Sequence, residues 1–178
     1  MAKVTRAHFV PLAAAAILTA CAPGRINYVH VDSSYMPQQY DTVPYSKAMR
    51  ADVSGNPFQI PQEDFNRLVN DAIQPNGVVP TDSSPYVVHF AFGTSATSAN
   101  YACTAPGRSG GGGTIEVAAA FCRGTGTALT YLVGSIDGIA GPDDPRFKQF
   151  LRTIVARLFP SQTEDTRDNS RNCVFPGC

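Results

Sequence analysis

The side chains of this chain that could do chemistry are few. His89 stands in the stretch Tyr86-Val87-Val88-His89-Phe90-Ala91-Phe92, and Glu116 lies in a second β-rich stretch, Ile115 to Cys122. If the two stretches pair, Glu116 is the expected neighbour of His89 across the sheet. A histidine beside a carboxylate can accept and return a proton. No nucleophile is read beside the pair, and H-E-x-x-H is missing. A histidine that only satisfies its own hydrogen bonds is the commoner case and the favoured one here. Catalysis is therefore not expected, and neither a cofactor nor a metal is.

Three further groups carry similar alternatives. The segment Gly107-Arg108-Ser109-Gly110-Gly111-Gly112-Gly113-Thr114 invites a phosphate-loop reading, but it lacks the lysine of G-x-x-x-x-G-K-[ST] and leads into a strand. A hairpin loop between Cys103 and Cys122 is the better account. Asp137, Asp143 and Asp144 gather around Gly138 and Gly141 without the spacing of a calcium loop. Asp137 is assigned to a turn and Asp144 to a helix cap. Arg146, Lys148, Arg152 and Arg157 line the outer side of a C-terminal helix, where anionic headgroups or peptidoglycan carboxylates could meet them. A solvated face is the simpler use.

The most specific signal is at the N-terminus. Lys3 and Arg6 precede an almost wholly apolar run from Phe9 to Ala20, the layout of a secretory signal. As a helix that run spans about 18 Å, short of a hydrocarbon core of roughly 30 Å. It ends in Leu18-Thr19-Ala20-Cys21, which resembles the lipobox of bacterial lipoproteins. The resemblance implies a thioether-linked diacylglycerol on Cys21, cleavage before it and acylation of the new N-terminus. Several acyl chains anchor far more firmly than one. Ala22 occupies the sorting position of that class and implies the outer membrane, with the body facing the periplasm. As a whole the chain is similar to small, cysteine-bridged lipoproteins of proteobacteria.

The chain has five cysteines, and lipid on Cys21 leaves Cys103, Cys122, Cys173 and Cys178. Four cysteines in an oxidising compartment suggest two disulfides with three possible connectivities, neighbours in sequence being favoured. A four-cysteine zinc site would want paired C-x-x-C knuckles, which the chain lacks. Fourteen basic and fourteen acidic residues balance, so no nucleic-acid partner is expected.

The elements that must position these groups follow from pattern. Residues 21–47 read as lipidated N-terminus and linker, with a short edge strand over Ile26 to Val31. Tyr28, Tyr35, Tyr40 and Tyr45 recur along it; they could touch glycan or a protein partner, or pin the segment to its own domain. Pro61 opens a helix with Phe65, Leu68, Val69, Ala72 and Ile73 on one face. Three strands follow: Tyr86 to Phe92, Ile115 to Cys122 and Leu129 to Val133. Pro145 starts a last helix with the stripe Phe147, Phe150, Leu151, Ile154, Val155, Leu158.

The predicted architecture is an α+β fold over residues 48–160, an antiparallel sheet of three to five strands with two amphipathic helices packed on one face. Residues 1–20 are the signal, and 161–178 a polar tail ending in a Cys173–Cys178 loop. The expected role is a non-catalytic envelope lipoprotein that meets an envelope protein or peptidoglycan. The alternative is a small-ligand or lipid carrier using an open sheet face around His89, Ala118 and Ala120.

Overall fold

Alternation along Ile115–Cys122 becomes the strand around which the domain is built. In this computed structural model, which describes residues 24–40, 49–74, 85–95, 98–110, 112–124 and 126–161, that strand is β4 (Thr114–Arg123). Its Ile115, Val117, Ala119 and Phe121 join a buried core with Val88, Phe90 and Phe92 of β3 (Tyr86–Phe92) and Leu132 and Ile136 of β5 (Ala128–Asp137). The side chains between them face the other way, as period-two geometry requires. β3, β4 and β5 form the expected antiparallel meander.

Two more strands complete the sheet, in the order β1-β5-β4-β3-β2. β1 (Arg25–Val31) is the predicted edge strand and runs antiparallel to β5. β2 (Met49–Ser54) lies parallel to β3. The α+β class holds, but the sheet is mixed where a wholly antiparallel one was expected. The reason is the connection: β2 reaches β3 through a helix, α2 (Gln62–Ile73), and a helical crossover of this kind returns the chain in the same direction.

α2 and α4 (Pro145–Leu158) cover one face of the sheet. The stripe of α4 is buried along its whole length, from Phe147 to Leu158, and Pro145 stands at its start. Asp144 caps it, its Oδ1 accepting from the Arg146 backbone N at 2.9 Å. α2 contributes buried Phe65, Val69, Ala72 and Ile73. Aromatic rings fill the space beneath: Phe65 meets Phe92 at 4.9 Å, and Phe121 meets Phe159 at 4.5 Å. Each such side chain removed from water stabilises the fold by about 1.5–3 kcal/mol.

The N-terminal stretch belongs to this body. Beyond β1, a single turn α1 (Pro37–Tyr40) sets Tyr40 5.3 Å from Phe121. Tyr35 is equally buried, and its hydroxyl donates to the Pro160 carbonyl at 3.2 Å. Residues 24–40, expected as linker ahead of a boundary at 48, are thus packed into the body by two tyrosines and a strand. Tyr45 lies outside the described residues, as do Cys21, Ala22, Cys173, Cys178 and the tail from residue 162.

The second face of the sheet is covered by a strap. A short turn of helix, α3 (Ala99–Ala102), leads into Cys103–Gly107, and Ala102 and Ala105 pack against Ala91, Ala118, Ala120, Ala128 and Tyr131. Alanines on both sides let backbone approach backbone. Cys103 and Cys122 form a disulfide. It closes the base of the loop that carries the glycine-rich segment, whose first arm lies over the sheet instead of beside β4.

Candidate functional site

Among the described residues, His89 is the one charged-capable side chain buried between strap and sheet. β3 alternation turns it away from Phe90, and the parallel register sets it level with Asp52 of β2. Its Nδ1 lies 3.0 Å from Asp52 Oδ2 and its Nε2 2.8 Å from the Ala105 carbonyl of the strap. Both partners are acceptors, so only the imidazolium, with two N–H donors, satisfies both contacts. Burial pulls the His89 pKa down, but the hydrogen bonds to Asp52 and Ala105 outweigh it and hold it above the ordinary value. The hydrogen bond from His89 in turn holds Asp52 below the ordinary carboxylate value against its own partial burial.

The expected His89–Glu116 pair is not formed. His89 stands opposite Ala120 on β4, while Glu116 is level with Ser135 of β5 and lies beyond the end of β3, its carbonyl accepting from the Gly93 N. The Glu116 side chain is exposed. The carboxylate that matters is Asp52, which sequence reasoning missed because β2 was not read as a strand. The alternation of Met49, Ala51 and Val53 with Arg50, Asp52 and Ser54 was the signal available.

This arrangement clamps the strap. With Nε2 bonded to a backbone carbonyl, His89 has no nitrogen turned toward a substrate. Three further bonds hold the strap's outgoing arm: Gly107 N donates to Ser54 Oγ at 2.7 Å, Arg108 N to the Phe92 carbonyl at 2.7 Å, and Gly110 N to the Asn56 carbonyl at 3.0 Å. Gly107-Arg108-Ser109-Gly110-Gly111 matches G-x-S-x-G by letter. A nucleophile elbow sits between a strand and a helix, whereas this segment runs from the strap into β4. The sheet face around His89, Ala118 and Ala120 was expected to be open, and it is covered: the three residues are 4%, 2% and 0% exposed.

Other surfaces of the described residues are accessible. On the outer side of β1 and β5, Tyr28 packs on Tyr131 at 5.3 Å, and His30 on Tyr131 at 5.7 Å. Burial and the hydrogen bond with Tyr28 push the Tyr131 hydroxyl pKa up. Tyr28 is 48% exposed while Tyr131 beneath it is 5%, so on the edge strand β1 it is Tyr28, with the half-buried His30 beside it, that meets solvent. Between α2 and α4 a groove of about 330 Å³ is rimmed by Asp64, Arg67, Asp71, Asp143, Lys148 and Arg152. Much of its charge is used internally. Arg67 pairs with Asp64 at 3.2 Å, Lys148 approaches Asp143 at 3.9 Å, and Arg152 Nε donates to the Ala72 carbonyl at 3.0 Å. Arg146, also assigned to the solvated face, is bonded to Asp144 at 2.6 Å.

Asp137 serves its strand ends, accepting from Arg25 at 3.1 Å and from the Thr114 hydroxyl. Among the described residues, no helix is long and apolar enough to cross a membrane. Comparison of the chain with protein families, with characterised proteins and with solved structures finds no match.

Proposed function

We propose that this chain is an envelope lipoprotein, anchored through acyl chains on Cys21 in the outer membrane, whose periplasmic body is an interaction module. The lipobox-like Leu18-Thr19-Ala20-Cys21 after a short signal carries the reading. The Cys103–Cys122 disulfide supports it, since such bonds persist in oxidising compartments. A doubly bonded His89 supports a structural use for the one histidine–carboxylate pair between strap and sheet. The surface that best suits a partner is the outer side of β1, where Tyr28 and His30 stand over the buried Tyr131 and an aromatic ring on an edge strand suits a sugar face or a protein strand.

Metabolic labelling with a fatty acid tests the anchor. Wild type should incorporate the label and sediment with outer membrane, and Cys21→Ser should do neither. Incorporation by Cys21→Ser would remove the lipoprotein assignment. A photo-crosslinker placed at Tyr28 in intact cells tests this surface: it should capture an envelope protein or peptidoglycan, and capture of neither would overturn the interaction module.

A further inference from the structure

We infer that the body lies directly on the leaflet that holds its anchor, seating the uncharged loop Gly138–Pro142 against lipid headgroups. The inference rests on lipid attachment at Cys21 and deepens that reading by fixing which surface meets the bilayer. Its starting point is Gly24. This residue has φ +107°, and a Cβ there would stand 2.6 Å from the Phe150 ring and 2.9 Å from the Ser135 carbonyl. Gly24 is therefore clamped onto the sheet edge and α4.

Two residues, Ala22 and Pro23, separate it from Cys21; over three Cα-to-Cα steps a fully extended chain covers at most about 3.6 Å each, so the two Cα atoms lie within about 11 Å. The interfacial layer on each side of the hydrocarbon core is itself roughly 5–7 Å thick. Such a short link leaves the body no room to stand clear of the membrane.

The strand register says which part is nearest. β1 is antiparallel to β5, with Arg25 level with Ser135. The chain thus enters β1 at the end of the sheet where β5 leaves into the segment 138–144. Charges flanking that loop are paired: Arg25 with Asp137 at 3.1 Å, Arg146 with Asp144 at 2.6 Å, and the exposed Asp143 more loosely with Lys148 at 3.9 Å. Arg146 also donates to the Gly138 carbonyl, and Asp144 accepts from Ala140 N at 3.4 Å, which fixes the loop's shape. Between these pairs Gly138-Ile139-Ala140-Gly141-Pro142 carries no charge. It can enter the interface without stranding an ion in a low dielectric. Since the flanking charges cancel, the contact depends on the anchor rather than on anionic lipid.

The protein has no tryptophan, which makes a clean test possible. Full-length lipidated protein carrying Ala140→Trp, Pro142→Trp or Arg123→Trp is reconstituted into phosphatidylcholine vesicles containing brominated acyl chains. Arg123 closes β4 at its far end, about 30 Å from Thr114 at ~3.3 Å per residue. The expected result is loss of most emission from Ala140→Trp and Pro142→Trp and none from Arg123→Trp, unchanged at high salt. Equal emission at the three positions, with the mass of the N-terminal peptide proving acylated Cys21, overturns this orientation and leaves the anchor standing. An unacylated Cys21 in the same preparation overturns both.

Discussion

Asp52 and His89 hold matched positions on the parallel pair β2 and β3, and their side chains meet at 3.0 Å over the outer face of the sheet. The same imidazole reaches the Ala105 carbonyl at 2.8 Å, so one side chain ties an edge strand, a central strand and the strap together.

The clip makes stability depend on pH in two directions. The His89 pKa is raised, so its contribution is complete below its ordinary value of 6.5 and is lost as pH rises through the raised value. The Asp52 pKa is lowered, so its contribution is complete above 3.8 and is lost as pH falls through the lowered value. His89→Leu should cost about 1–3 kcal/mol at pH 5–6, because it leaves the Ala105 carbonyl without a donor. Thermal melting of wild type and variant across pH should show this gap narrowing on both sides. A gap independent of pH would refute an imidazolium clip.

The disulfide and the clip hold the same strap, so their losses should not add. Replacing Cys103 and Cys122 by serine should cost on the order of 3 kcal/mol by the loop-entropy account. Combining this with His89→Leu should yield a coupling beyond about 0.5 kcal/mol in a double-mutant cycle by urea unfolding. Simple additivity would mean that the strap does not move as a unit.

Gly24→Ala should destabilise by more than about 1 kcal/mol, since alanine is strained at positive φ and its Cβ meets Phe150. Gly138, at φ +64° with open space around it, separates the two causes. Gly138→Ala suffers the backbone strain alone and should cost less. Equal melting temperatures for the two variants would mean that Gly24 is not clamped.

Asp144 predicts an acid limb. Side-chain and backbone hydrogen bonds from Arg146 lower its pKa to about 2. Its support for α4 is therefore complete above 3.8 and lost as pH falls through about 2. Asp144→Asn keeps a capping oxygen but not the charge, so its melting temperature should fall less than that of wild type between pH 4 and 2. Parallel curves would assign the acid sensitivity elsewhere.

What the sequence could disclose divides along physical lines. The faces of β3 and β4 and the stripe of α4 were legible, because each is a local period imposed by burial. Position 89 on the outer face was legible for the same reason. Its partner was not. Register is a long-range property, so alternation alone could not distinguish Glu116, level with Ser135, from Ala120, the residue that does face His89. Asp52 was hidden further, since β2 is six residues long and its apolar positions include alanine, a weak strand former. Ala118 and Ala120 looked like an open floor because small residues do not announce a covering layer. Ala102 and Ala105, which cover them, lie in a segment with no strong period of its own.

β1 pairs with β5 across a long stretch of sequence: Arg25 is level with Ser135, and its side chain reaches Asp137, 112 residues away. A chain delivered across a membrane from its N-terminus presents β1 first and its partner nearly last. β1 must wait through synthesis of almost the whole domain for its partner edge on β5, and closure of so long a loop makes this pairing slow. On the lipoprotein reading proposed above, the strand nearest the signal takes its place only after export is almost finished, so the chain stays unfolded enough to be threaded.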